Sequence, residues 1–93
     1  MAEGTVTVNG IEAPYDSAKL GDVRFVLMLG ELSDDSLADS EKLSAYAHMV
    51  RFLFGDERYR ILEGLAEANG GSADVDAFST WLAEYFEAVG AKN

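Results

Sequence analysis

Residues 75–90 read Val75-Asp-Ala-Phe-Ser-Thr-Trp-Leu-Ala-Glu-Tyr-Phe-Glu-Ala-Val-Gly90. At 100° per residue, Val75, Phe78, Trp81, Leu82, Tyr85, Phe86 and Val89 fall on one wide apolar stripe, the signature of a helix lying on a core. Asp74 stands where an N-cap is needed, and Gly90 where a helix ends. The stripe holds four of the chain's ten aromatic residues, so it needs extensive apolar cover. The rest of the 93 residues must supply it.

Working back from this segment, Gly70-Gly71 is a stop, and residues 56–69 form a helix capped by Asp56 with Tyr59, Leu62, Leu65 and Ala66 inward. Residues 39–54 form another, with Leu43, Tyr46, Ala47, Met49, Val50, Leu53 and Phe54 on one stripe, Phe52 on the opposite face and Gly55 as terminator. Ser33-Asp34-Asp35-Ser36 breaks the chain before it, because these side chains compete for backbone hydrogen bonds. A helix over 22–32 starts at Asp22. At the N-terminus, Asn9-Gly10 supplies the two positive-φ residues of a type I′ turn between strands within 5–15, and Pro14 confines the second strand to an edge. A lone hairpin is marginal and must lean on something apolar, for which the first helix is the expected support. The expected fold is mainly α: a compact four-helix, single-domain chain with a short N-terminal β-hairpin.

Composition narrows the function classes. A hydrophobic share of 48% is enough for a folded core, although at this length only roughly 60–65% of the unfolded chain's surface can be buried. Seventeen acidic residues against seven basic give a net charge of −10, which disfavours nucleic acid and anionic lipid as partners. There is no Cys, hence no disulfide, thiolate or sulfur ligand. Met1-Ala-Glu-Gly4 lacks the basic and apolar regions of a signal peptide, and the longest apolar run, 25–29, is far below the ~20 residues that span a bilayer. The expected location is the cytoplasm.

Candidate chemistry is sparse. His48 falls on the polar side of its helix without a second His or Cys for a metal site. The acidic pairs Asp34-Asp35, Asp74/Asp76 and Glu84/Glu87 have no calcium-loop pattern, and Gly70-Gly71 lacks the Lys-Ser or Lys-Thr of a phosphate loop. No catalytic residue, metal or cofactor is assigned, and the chain is read as a non-enzyme. Asp35-Ser36-Leu37, before a helix in a small acidic domain, resembles acyl carrier proteins, which would place phosphopantetheine on Ser36; this stands as an alternative. An acidic mimic of nucleic acid, acting as an adaptor, is another.

The apolar residues exceed what one small core can face. The segment Asp22-Val-Arg-Phe-Val-Leu-Met-Leu-Gly-Glu-Leu32 is apolar around nearly its whole circumference, with only Arg24 and Glu31 marking a polar side. Phe25, Met28 and Leu32 point away from Val23, Val26 and Leu27, so one set is left over. Phe25, Met28, Leu29, Leu32, Met49 and Phe52 are the expected contacts for a partner or a second copy, with Phe25, Met28 and Leu32 expected to be exposed.

Phe52-Leu-Phe-Gly-Asp-Glu-Arg-Tyr-Arg-Ile-Leu-Glu-Gly-Leu65, then Asn69-Gly-Gly71 and the segment from Val75 to the Lys92-Asn93 end, resembles the short tail assembly chaperones of long-tailed bacteriophages and prophages. The shared pattern is a helix ending in Leu-Gly or Phe-Gly, an acidic cap, an aromatic residue, a Gly turn, and a last helix closing in Gly. It covers about residues 53–93; the N-terminal half matches in outline only.

The resemblance implies a chaperone in the host bacterial cytoplasm, absent from the mature virion. Such a chaperone binds apolar helical segments of the tape-measure protein and keeps it soluble while tail-tube subunits assemble. It also implies a homo-oligomer and, near Lys92-Asn93, a frameshift site yielding a longer product.

Overall fold

The computed structural model describes residues 3–92, with side chains described through residue 90. Strands β1 (Glu3–Val8) and β2 (Ile11–Asp16) form an antiparallel hairpin in which Val8 pairs with Ile11 and Val6 with Ala13. Asn9 and Gly10 both have positive φ, 51° and 81°, as the type I′ turn requires. Five helices follow: α1 (Ser17–Leu20), α2 (Val23–Leu32), α3 (Asp39–Phe54), α4 (Arg58–Ala68) and α5 (Val75–Lys92). The fold is the expected mainly helical one with an N-terminal hairpin, and the single turn α1 is an addition to it.

Local chemistry explains most boundaries. Asp22 caps α2 by accepting from the Arg24 amide at 2.8 Å, and Asp74 caps α5 by accepting from the Ala77 amide at 2.8 Å. Gly55 ends α3 at a φ of 55°, where a side chain would be strained. Two expectations need correction. Asp56 does not cap α4: it lies in a 3-10 turn, Gly55–Glu57, that carries the chain into Arg58. Gly90 does not end α5, whose hydrogen bonding continues to Lys92; glycine weakens a helix but can sit inside one.

The core is one cluster in which the stripe of α5 is central. Trp81, Tyr85, Met49, Ile61 and Val89 are its largest fully buried side chains. Phe54 meets both Trp81 and Tyr85 edge-on, at 5.9 and 5.2 Å between ring centroids, the geometry aromatic quadrupoles favour. The hairpin leans mainly on α5 through β1 and on α3 and α4 through β2, rather than on α2 as expected. Val6, Val8, Ile11 and Ala13 face the helices and are buried. Two side chains of α5 complete backbone hydrogen bonding in the hairpin: Trp81 Nε1 donates to Val8 O at 3.0 Å, and the Tyr85 hydroxyl to Pro14 O at 2.8 Å. Burial pushes the Tyr85 phenol above its ordinary pKa, so it stays a donor.

Candidate partner-binding surfaces

The orientation of α2 is the reverse of that expected. Phe25 is buried, 5% exposed, with its ring edge-on to Phe86 at 5.5 Å, while Met28 and Leu32 are partly buried against the core. Val23, Val26 and Leu27 face outward with 70, 55 and 62% exposure. Phe25 packs against Phe86 of α5 and Met28 and Leu32 against the core, which leaves the opposite arc of Val23, Val26 and Leu27 to solvent. Of the other expected contacts, Met49 is completely buried and Leu29 lies at the edge of the outer face. Phe52 is half-buried beneath two cations, with Lys19 Nζ 5.9 Å and Arg24 Cζ 5.1 Å from its ring centroid. Phe25 and Met49 therefore belong to the core and present no surface to a partner in this conformation.

A second apolar surface lies where α3, α4 and the start of α5 diverge. Leu43, Tyr46, Ala47, Tyr59, Leu62 and Val75 line most of an open cavity of ≈ 270 Å³. Leu43, Tyr59 and Val75, expected inward, are exposed here because among the described residues no element covers the gap. The groove has a fixed frame. The Tyr46 hydroxyl hydrogen-bonds Ser79 Oγ at 2.5 Å, tying α3 to α5. The Arg58 guanidinium donates to Gly55 O at 2.7 Å and to the Tyr59 hydroxyl at 2.9 Å, and its Cζ lies 4.4 Å from the Tyr59 ring centroid. That holds the ring as one wall. A separate depression on the other side of Tyr59 and Leu62 is lined by Glu63, Ala66 and Glu67 of α4. Among the described residues, Glu63, Glu67 and the groove-lining Asp74 take part in no ion pair. An apolar floor with Asp74 in its lining and Glu63 and Glu67 close by fits the apolar face of an amphipathic helix carrying basic side chains at its flank.

Sequence periodicity held a signal for this groove. On α4, Tyr59, Leu62 and Ala66 form one arc, while Ile61 and Leu65 form another that packs in the core. The apolar arc of α4 is wider than one packed face requires.

The polar candidates sit elsewhere. Ser36 Oγ and N both bind Asp34 Oδ1, at 2.6 and 2.9 Å, in the turn before α3, and the Ser36 hydroxyl lowers the pKa of Asp34. His48 is exposed on α3. Asp22 is bonded by Arg24 Nε and Nη2 at 3.0 and 2.7 Å, which with the capping bond lowers its carboxyl from 3.8 to about 2. Among the described residues there is no group of three or more His, Asp or Glu side chains able to hold a metal ion, and no helix long and apolar enough to cross a membrane. Comparison with protein-family models, curated proteins and solved structures found no match.

Proposed function

We propose that this chain is a tail assembly chaperone of the long-tailed bacteriophage type, which binds apolar helical segments of a tape-measure protein and keeps that protein soluble until tail-tube subunits enclose it. The observation that carries this reading is the open groove lined by Leu43, Tyr59, Leu62 and Val75, with Arg58 and Asp74 as its charged lining and Glu63 and Glu67 on a neighbouring depression that shares Tyr59 and Leu62. Fully covering a Leu or Val contributes roughly 1.5–3 kcal/mol. A few partly exposed side chains of this kind give reversible binding, as a client that must later be released requires. The acidic exterior, −10 overall, keeps such a complex dispersed and attracts basic client helices. The role is binding, with no chemical step.

The test is co-expression with the tape-measure protein encoded at the same locus. The soluble fraction of that protein should rise several-fold when this chain is present. Equal insolubility with and without it would refute the chaperone reading.

A further inference from the structure

The chain contains two Asn-Gly pairs, Asn9-Gly10 and Asn69-Gly70. Such pairs can modify themselves, because the amide nitrogen of a glycine, unshielded by a Cβ, can reach the preceding side chain. In that step the glycine nitrogen loses its proton to water or hydroxide and attacks Asn Cγ; a nitrogen–carbon bond forms, and Nδ2 leaves as ammonia. Water then opens the five-membered imide at either carbonyl, leaving aspartate or, with the chain rerouted through Cγ, isoaspartate. The net change is amide plus water to carboxylate plus ammonium, and both Asn residues are exposed to the water it consumes.

The attack needs the glycine nitrogen on the same side of the Cα–C bond as Cβ, and both pairs are held the other way. Asn69 has a ψ of 33°, and the type I′ turn sets about +30° at Asn9; in an L-residue either value turns the next nitrogen away from Cβ. The two sites differ in what must break before ψ can rotate. At Asn69 the bonds are local: Nδ2 donates to Ser72 O at 2.8 Å, the Gly71 amide donates to Ala66 O at 2.7 Å, and residues 68–76 are all exposed. At Asn9 the restraints come from far along the chain. Its Nδ2 donates to Glu84 Oε2 of α5 at 2.7 Å, the adjacent Val8 O accepts from Trp81 Nε1, and Val8 and Ile11 on either side of the turn are buried. We infer that Asn69 is a spontaneous deamidation site of the folded chain, whereas Asn9 is guarded by Glu84 and converts only when the hairpin tip leaves α5. Conversion at position 9 replaces a donor with a carboxylate facing that of Glu84, so a detached tip cannot re-form the bond and a transient opening becomes permanent. Neither Asn lines the groove, so both conversions are separate from client binding.

The two sites serve as each other's control. The full chain is incubated at neutral pH, and peptide-mapping mass spectrometry follows aspartate and isoaspartate at each position. In the native sequence Asn69 should convert at least about fivefold faster than Asn9. Glu84→Ala should raise the rate at Asn9 at least about fivefold and leave Asn69 unchanged, while Glu84→Gln, whose side-chain oxygen still accepts, should stay close to the native rate. Incubation in urea, where both pairs are open chain, needs no variant: there the two rates should converge. Equal rates in the folded native chain, faster conversion at Asn9, a difference that persists in urea, or a Glu84→Ala variant with an unchanged rate at Asn9 would overturn the inference. So would Glu84→Ala speeding both sites alike while the native and urea ratios agree.

Discussion

The indole nitrogen of Trp81, in the middle of α5, donates to the main-chain oxygen of Val8 at the end of β1, 3.0 Å away and fully buried. One side chain thus fills the core and satisfies a carbonyl at the tip of a hairpin that two strands alone would not hold together. Replacing Trp81 with Phe keeps an aromatic ring but leaves Val8 O without its donor. The expected loss is about 1–3 kcal/mol from the unpaired carbonyl, with a further cost from lost volume. Urea unfolding measures it. A change below about 0.5 kcal/mol would show that the hairpin is not anchored through this bond.

Gly64 of α4 and Ile11 of β2 define how closely helix and hairpin approach. A Cβ on Gly64 would lie 3.4 Å from Ile11 Cγ1. Gly64→Ala is expected to be nearly neutral, because a gain of up to about 1 kcal/mol in helix propensity offsets the tight contact. Gly64→Val adds branches that cannot fit and should cost about 1–3 kcal/mol. Thermal unfolding of the two variants separates these outcomes; equal stability of both would contradict the packing.

Acid should act on the start of α2 through Asp22. Its folded-state pKa, about 2, is below the ordinary 3.8, so the stabilisation it provides is fully present above pH 4 and is lost as pH falls through about 2. The Asp22 carboxyl resonance should titrate with a midpoint near 2, and the Arg24 amide should shift with it. A midpoint near 3.8 would mean the cap and the Arg24 pair do not persist in solution.

Much of this architecture was legible in the chain. The turn at Asn9-Gly10, the caps at Asp22 and Asp74 and the stop at Gly55 each rest on a residue whose own chemistry demands that position. The outward side of α2 was not legible. Its two arcs, Phe25/Met28/Leu32 and Val23/Val26/Leu27, are equally apolar, so hydrophobic periodicity places them opposite each other without ranking them. The choice depends on the space left between α3 and the Phe86 region of α5, which only packing specifies. Leu43, Tyr59 and Val75 escaped for a related reason: each lies on an apolar stripe that is correct for its helix, but the three stripes diverge at one corner and leave a groove.

The groove makes a separable prediction about stability and binding. Tyr59 and Leu43 are 64 and 53% exposed, so Tyr59→Lys and Leu43→Lys should change folding stability by no more than about 1 kcal/mol. The same changes place positive charge on the apolar lining, where it must be desolvated and repels a basic client, and should weaken binding of a basic amphipathic helix by at least about tenfold, measured by fluorescence anisotropy of a labelled peptide. Unchanged affinity in both variants would move the client site away from this groove.

Titration of isotope-labelled chain with synthetic amphipathic helices from the tape-measure protein, followed amide by amide, tests the central claim most directly. Saturable shifts are expected at Leu43, Ala47, Tyr59, Leu62 and Val75, with little change in the hairpin, and they should vanish in the Leu43→Lys/Tyr59→Lys double variant. No saturable shift with any such helix, or shifts that persist in the double variant, would contradict the account.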